Sequence, residues 1–358
     1  MGRYGWDDVL NKKVEKPGKI EMKWVLNTDD YYSDLSYQLQ FQIGRPDQVP
    51  KGFFITDEQL SHAKPAEGQV EPFSFLHCHD KLLGKGQFSV REKNTSKYKR
   101  VSVDIDVNDT VFRQVSSLLD SDEFRIGFYP NFKQTVQTVQ EFFERFHTYS
   151  STDFNLDKVR EPQDIELNTR FLHRDGSNFV NVLSDLYSDS DFLDEFTRYL
   201  QVLIPSLEKL KIVNVTETKR QLRLIINGET YKLKEMSDGT IKAMLLTLLL
   251  WSPNKTTILA LDEPELNLHP AWLKVISNWV LRSQSNDQIF ISSHSPDFLD
   301  GFTEMFREGY VGLFVADLRE EQTIKPMSSK NLESLMKEGW ELGDLYRVGE
   351  PALGGWPW

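Results

Sequence analysis

The chain has 358 residues, of which 39% are hydrophobic and 27% charged, with a formal net charge of −12. That length allows one large domain or two ordinary ones with ample material for a core, and the acidic balance excludes a uniformly basic nucleic-acid surface while leaving room for a local basic groove. A single cysteine, Cys78, excludes an internal disulfide, and with no signal peptide or membrane span visible the expectation is a cytoplasmic protein away from the membrane.

Residues 18–106 read as strands. Lys19–Leu26, Ser36–Ile43, Gly52–Ile55, Pro72–His77, Gln87–Glu92 and Arg100–Val107 alternate aromatic or β-branched residues with polar ones, between turns rich in Gly, Pro and Asp. His77-Cys78-His79-Asp80 contains metal-ligand residue types, but neighbours in a strand point to opposite faces and cannot all meet one ion. Arg91, Lys93, Lys97, Lys99 and Arg100 surround Tyr98. A solvated hairpin is the plainer reading of that run and a phosphate-backbone contact the sharper one. Residues 108–210 read as helical over Val111–Leu119, Phe132–Phe143, Asn178–Leu186 and Asp191–Leu203. Asp175-Gly176-Ser177-Asn178 is a turn feeding a helix cap. Gln221–Ile226 and Thr230–Leu233, split by Asn227-Gly228, form a hairpin.

Three polar clusters come next, each at the edge of an apolar run. At Met236-Ser237-Asp238-Gly239-Thr240 a helix begins, because Ile241, Met244, Leu245, Leu248 and Leu249 recur at helical spacing. Ser237 or Asp238 caps it. The same free N–H groups and positive helix end attract a phosphate, and Gly239 would let the backbone approach it closely. Thr257–Leu261 suits a strand buried on both faces. It ends in Asp262-Glu263-Pro264, where open α/β sheets bind ligands. Asp262 could hold Mg²⁺, and Glu263 could orient or deprotonate a water for attack on a phosphate. A strand ending in a polar turn is the plain alternative. Gln288–Ile291 is a second short strand, ending in Ser292-Ser293-His294-Ser295-Pro296. A lone histidine is more often structural than catalytic. A helix over Ala271–Leu281 joins the two strands into a right-handed βαβ unit with both polar ends on one edge. Val311–Ala316 and Thr323–Pro326 add closing strands, Leu332–Lys337 a short helix, and Trp356-Pro357-Trp358 a tail that packs on the body or docks a partner.

In their order, MSDGT, ILALDEPELNLHP and ISSHSP resemble the signature loop, Walker B strand, D-loop and switch histidine of ABC-type ATPases. They are most similar to the RecF/SMC-like group of bacterial AAA-type ATPases. Arg174-Asp175-Gly176-Ser177-Asn178 and the terminus Leu353-Gly354-Gly355-Trp356-Pro357-Trp358 also fit. The resemblance implies an α/β, ABC-ATPase-like P-loop NTPase fold with a flanking antiparallel β layer and an inserted helical lobe. It divides the chain into a β-rich part of the head over 1–107, a helical insertion over 108–210, and a lobe over 211–358 that carries the three clusters. It implies ATP and Mg²⁺ as cofactors, with Asp262 on the metal, Glu263 and His294 catalytic, and Ser237, Asp238, Gly239 and Thr240 on nucleotide. It further implies a homodimer in which one subunit's signature loop closes on ATP held by the other. Hydrolysis would drive a partner, an effector protein of nuclease type or DNA, in repair or in defence against phage.

One departure stands out. The phosphate-binding pattern G-x-x-x-x-G-K-[ST] does not occur in the 358 residues, and the nearest stretch, Gly84-Lys85-Gly86-Gln87, lacks both the spacing and the hydroxyl residue. Residues 1–10 resemble the segment just after the P-loop helix in the family, so the opening strands and P-loop are expected to be missing or supplied by another chain. Two functions compete: an ATPase subunit, favoured by intact Asp262, Glu263 and His294, and an ATPase-derived scaffold that cannot hold nucleotide. Gln137 and Gln140 are candidates for the Q-loop glutamine, and no acidic cluster follows His294 to suggest a nuclease site in the chain itself.

Overall fold

The period-two runs of the first hundred residues pair with one another, and the period changes only where the first helix begins. The computed structural model describes residues 19–27, 34–43, 53–79, 84–91, 98–106, 110–111, 114, 132–186, 190–316, 324–349 and 353. The chain divides into two units, residues 1–143 and 144–358. The expected helix over Val111–Leu119 falls mostly outside the described residues, as do the tail at 356–358 and, in the basic run near Tyr98, Lys93 and Lys97.

In the first unit β1 (Lys19–Leu26), β2 (Leu35–Ile43), β3 (Phe53–His62), β4 (Ser74–His79), β5 (Lys85–Arg91) and β6 (Tyr98–Asp104) form a six-stranded sheet in sequence order, each strand antiparallel to the next. Such a meander needs only local connections. Tyr37, Leu60, Phe75, Leu76 and Phe88 line its buried face and are joined by Val136 and Val139 of α1 (Phe132–Glu144). Phe143 of α1 meets Trp24 and Tyr37 edge-on at 5.2 and 5.5 Å. Glu58 is fully buried here. It accepts hydrogen bonds from the Tyr37 hydroxyl at 2.9 Å and from the Val111 N–H at 3.0 Å, the arrangement a buried carboxylate requires. Gly84-Lys85-Gly86-Gln87 leads into strand β5, where Lys85 pairs with Asp104. It is therefore no phosphate-binding loop.

The second unit is mixed α/β. It contains β7 (Phe146–Ser150), α2 (Leu156–Arg160), β8 (Gln163–Asp164), α3 (Phe179–Leu186), α4 (Ser190–Leu203), β9 (Leu207–Asn214), β10 (Lys219–Ile226), β11 (Glu229–Lys232), α5 (Asp238–Trp251), β12 (Thr256–Asp262), α6 (Pro270–Arg282) and β13 (Asn286–Ser292). It continues through α7 (Pro296–Asp300), α8 (Thr303–Arg307), β14 (Leu313–Ala316), β15 (Ile324–Met327), α9 (Ser329–Lys337) and α10 (Leu342–Val348). β12 lies between β7 and β13, parallel to both. β8, β9, β10 and β11 form a separate antiparallel sheet around β10. α5 is apolar nearly all round, as a helix at the centre of a core must be. Ile241, Ala243, Met244, Leu245, Leu246, Leu248 and Leu250 are all buried.

The reading of 108–210 as helical misses β7, the two-residue β8 and the start of β9. β7 follows α1 with one residue between them and no Gly or Pro, so no turn signal marks its start. β9 alternates poorly, with Glu208 and Lys209 both exposed, and a register shift at Ile225/Ile226 breaks its pairing with β10. The hairpin at Asn227-Gly228 forms as expected, with both residues at positive φ.

Gly301, just after α7, lies against α6. A Cβ built there would stand 1.9 Å from Ser277 Oγ and 2.6 Å from Ser277 Cβ. Gly301→Ala should destabilise the protein by about 1–3 kcal/mol, the usual cost of overpacking. Adding Ser277→Gly removes both clashing atoms and should recover most of the loss, less the roughly 1 kcal/mol that glycine costs inside a helix. Denaturant melts of the two variants check this, and a double variant no better than Gly301→Ala would refute the contact.

Candidate functional site

The polar ends of β7, β12 and β13 meet at one edge. In register, Asp262 stands opposite Ser292 on one side and Ser150 on the other. Ser292 Oγ donates to Asp262 Oδ1 at 2.5 Å and Ser150 Oγ to Oδ2 at 3.0 Å. Three neighbouring strands thus gather hard oxygen donors around an exposed carboxylate. An oxygen-only set of this kind suits Mg²⁺, and Asp262 with the two hydroxyls would hold it.

Beyond Asp262 the chain turns sharply. Glu263 has φ 46°, in the left-handed region, a conformation that costs a non-glycine residue roughly 1–2 kcal/mol. Its N–H donates to the Ser292 carbonyl at 3.0 Å, and this bond aims the side chain across the strand ends. Glu263 Oε1 lies 3.5 Å from His294 Nε2. The other ring nitrogen, Nδ1, lies 3.3 Å from the Tyr346 hydroxyl on α10. Glu265 fastens the histidine loop from below, where its Oε1 accepts from Ser293 Oγ at 2.6 Å and from the His294 N–H at 3.0 Å. Glu265 Oε2 is buried and has no hydrogen-bond partner among the described residues.

The start of α5 is a separate feature. Ser237 is the N-cap, its Oγ accepting from the Thr240 N–H at 3.1 Å. Arg160 of α2 forms an ion pair with Asp238 and donates to the Met236 carbonyl at 3.3 Å. A Cβ on Gly239 would stand 2.7 Å from the Asn267 carbonyl oxygen, so only glycine allows α5 to dock on the 263–269 loop. One turn on, Lys242 is 4% exposed and donates from Nζ to the Leu266 carbonyl at 3.2 Å. Burial lowers its pKa, against the opposing effect of Asp238. Among the described residues no hydrogen bond or ion pair joins Ser237, Asp238, Gly239 or Thr240 to Asp262, Glu263 or His294.

The structure therefore brings Asp262, Glu263 and His294 together, and the start of α5 meets the loop that follows them at Asn267 without bonding to any of the three. Sequence reasoning missed Ser150, Glu265, Tyr346, Arg160 and Lys242. Ser150 went unseen because its strand did, Glu265 sits inside a recognised motif, and the other three depend on contacts remote in sequence. Among the described residues no lysine or arginine pairs with Asp262, Glu263 or Glu265, and His294 supplies the cation at the edge when protonated.

Lys242 makes stability depend on pH. Its folded pKa lies below the ordinary lysine range of the unfolded chain. Between those two values the unfolded state binds the extra proton, so stability rises with pH there. Lys242→Met should flatten that rise, measured as unfolding free energy against pH through the alkaline range. An unchanged profile would show that the amine is not desolvated.

More than half of the chain, residues 89–300, matches the model of the family described as "AAA domain, putative AbiEii toxin, Type IV TA system". No curated protein matches. Among solved structures, one from work on ATP-driven dimerization and DNA-stimulated activation of SMC ATPases is similar at 12% identity and a TM-score of 0.32, over 44% of this chain and 96% of that one. The SmcHead bound to the C-winged helix domain of ScpA is similar at 8% identity and a TM-score of 0.38, over 83% of this chain and 76% of that one. Identity and TM-scores at this level establish neither a shared site nor a shared partner. Among the described residues no helix is long and apolar enough to cross a membrane. The family match rests on the stretch that contains both the Asp262 strand end and the capped start of α5, and the chain belongs to that AAA-domain family.

Proposed function

We propose that the chain is a subunit of an ABC-type ATPase that binds ATP with Mg²⁺ in a head-to-tail homodimer and couples hydrolysis to a partner, in DNA repair or anti-phage defence. The observation that supports this best is the convergence of Asp262, Glu263 and His294 on one edge of a parallel sheet, while among the described residues no hydrogen bond or ion pair ties the capped start of α5 to them. A site split in this way suits a nucleotide shared by two subunits. Glu263 holds and deprotonates the attacking water. His294, 3.5 Å away, orients Glu263 and the water and is itself steadied by Tyr346. Asp262 holds the metal. Bound Mg²⁺ supplies neutralisation of phosphate charge. Ser237, Gly239 and Thr240 present the helix start to the partner subunit's nucleotide, with Asp238 fixed by Arg160.

A second reading, a scaffold that does not hold nucleotide, is favoured by two observations. No phosphate-binding pattern occurs in the sequence, and among the described residues no lysine or arginine pairs with the three carboxylates. The lysine of such a loop and its N–H groups supply most of the grip on a triphosphate. Residues 1–358 alone are expected to show no ATP binding by calorimetry at micromolar protein and no turnover. Micromolar binding would mean that another element of this chain holds the phosphates.

The ATPase reading is tested in a form of the protein that includes a phosphate-binding loop. Glu263→Gln there should keep ATP binding and lose about 10²–10⁴ in turnover, the usual scale for a general base. Unchanged turnover removes Glu263 from the mechanism. Mixing a loop mutant with Ser237→Arg, a change at the exposed cap that leaves the Gly239–Asn267 contact in place, should restore part of the activity, because a mixed dimer has one intact composite site. Mixed dimers that form without recovery argue against the shared site.

A further inference from the structure

The second unit carries a face whose charge runs against that of the whole molecule. In the β9–β10–β11 sheet, Arg223 stands directly opposite Lys211 on one side and directly opposite Lys232 on the other. Cross-strand partners share a face, so three cations form a row across three strands. Lys209, opposite Ile225, adds a fourth two residues along on the same side. Lys209, Lys211 and Lys232 are exposed and Arg223 is half-buried. The opposite face contributes Leu210, Leu222 and Leu224 to the core, so the row points outward.

Like charges directly opposite on a sheet are destabilising, and this row has no internal compensation. Among the described residues none of the four forms an ion pair. Of the carboxylates nearby, Asp164 pairs with Lys219 at 3.7 Å, Glu235 accepts from the Lys232 backbone N–H at 2.7 Å and Glu208 from the Gly228 N–H at 2.8 Å, while Asp194 lines one cavity with Lys209 without forming an ion pair to it among the described residues. With its amide oxygen turned towards Arg223, Gln221 accepts from Nε and Nη2, both at 3.2 Å. That holds the guanidinium in place instead of letting it swing away from its like-charged neighbours. A protein of net charge −12 thus keeps a fixed row of unpaired cations.

We propose that this face binds the phosphate backbone of double-stranded DNA. Strands lie about 4.8 Å apart, so the row spans about 10 Å, a length of duplex that carries about six phosphate charges. The other residues on this face of the sheet include Val213, Gln221, Ile225 and Thr230, with the Lys219–Asp164 pair beyond them. None of these is an aromatic ring that could stack on an unpaired base, the device that single-strand sites use. Contact is with backbone phosphates and independent of sequence. The choice of DNA rests on the proposed function, and the binding itself requires neither ATP nor catalysis.

The test is fluorescence anisotropy of a labelled 30-base-pair DNA duplex with the purified full chain and no nucleotide, over a salt series. The triple variant Lys211→Gln, Arg223→Gln, Lys232→Gln should bind at least tenfold more weakly. Its plot of log affinity against log salt should be flatter by about 2.7, three contacts at about 0.9 each. Its melting temperature should equal or exceed that of the parent, because repulsion has been removed. The charge-preserving variant Lys211→Arg, Arg223→Lys, Lys232→Arg should retain the affinity. Absence of duplex binding, a triple variant with unchanged affinity and slope, or tighter binding of single-stranded DNA or duplex RNA would each overturn the proposal. So would loss of self-association in the triple variant without loss of DNA affinity, which would assign the face to a second copy of the chain. Glu263→Gln should leave this binding unchanged, so failure of the surface is separable from failure of the ATPase reading.

Discussion

The register of β12 against its two neighbours is the constraint on which the candidate site depends. Side chains alternate across a strand, so a slip of one residue would turn Asp262 to the other face of the sheet. It would also withdraw the hydroxyls of Ser150 and Ser292 that hold its two oxygens. The register is fixed further back. Leu259 and Leu261 are buried under the helices on one side, and Thr256 and Asn286 hydrogen-bond at the start of the strand pair. The chemistry at one end of the sheet is therefore set by packing along its whole length.

The same logic extends to α5. A helix apolar nearly all round has no polar face to set its rotation in the core, so specific contacts set it, and its first turn rests on the loop just after Glu263. The Gly239–Asn267 contact and the Lys242–Leu266 bond are the two points of attachment. Each is a backbone carbonyl of the loop meeting a residue of the helix. The helix start and the loop should shift together or not at all. In a dimer with shared sites, one subunit's offer to its partner would then be linked to the posture of its own acid.

Much of this was legible in the sequence, for physical reasons. The strand pair, its linking helix and the capped start of α5 announce themselves because burial on both faces leaves unbroken apolar runs, and because caps and turns use few residue types. The position of Asp262 at a strand end came from the same run. The identity of its other neighbour could not be read. Phe146–Ser150 is too short and too close to α1 to stand out, and it belongs beside β12 only through packing 112 residues away in sequence, where Ser150 meets Asp262. Arg160, Tyr346 and Lys242 were hidden for a similar reason. A charged residue in a helix looks solvent-facing until the fold shows what covers it. The charged row across β9, β10 and β11 depends on register alone, and one of its strands was not anticipated.

The left-handed backbone at Glu263 has a consequence for any effort to make this protein sturdier. Glycine or asparagine would sit in that conformation at less cost, so selection for thermal resistance alone would favour replacing the very acid that faces His294. Recovery of stability at such positions is a recurrent route to lost activity. The bend at the end of β12 is thus a place where robustness and reactivity make opposite demands on a single residue, and a hardened variant that keeps Glu263 must find its gains elsewhere in the chain.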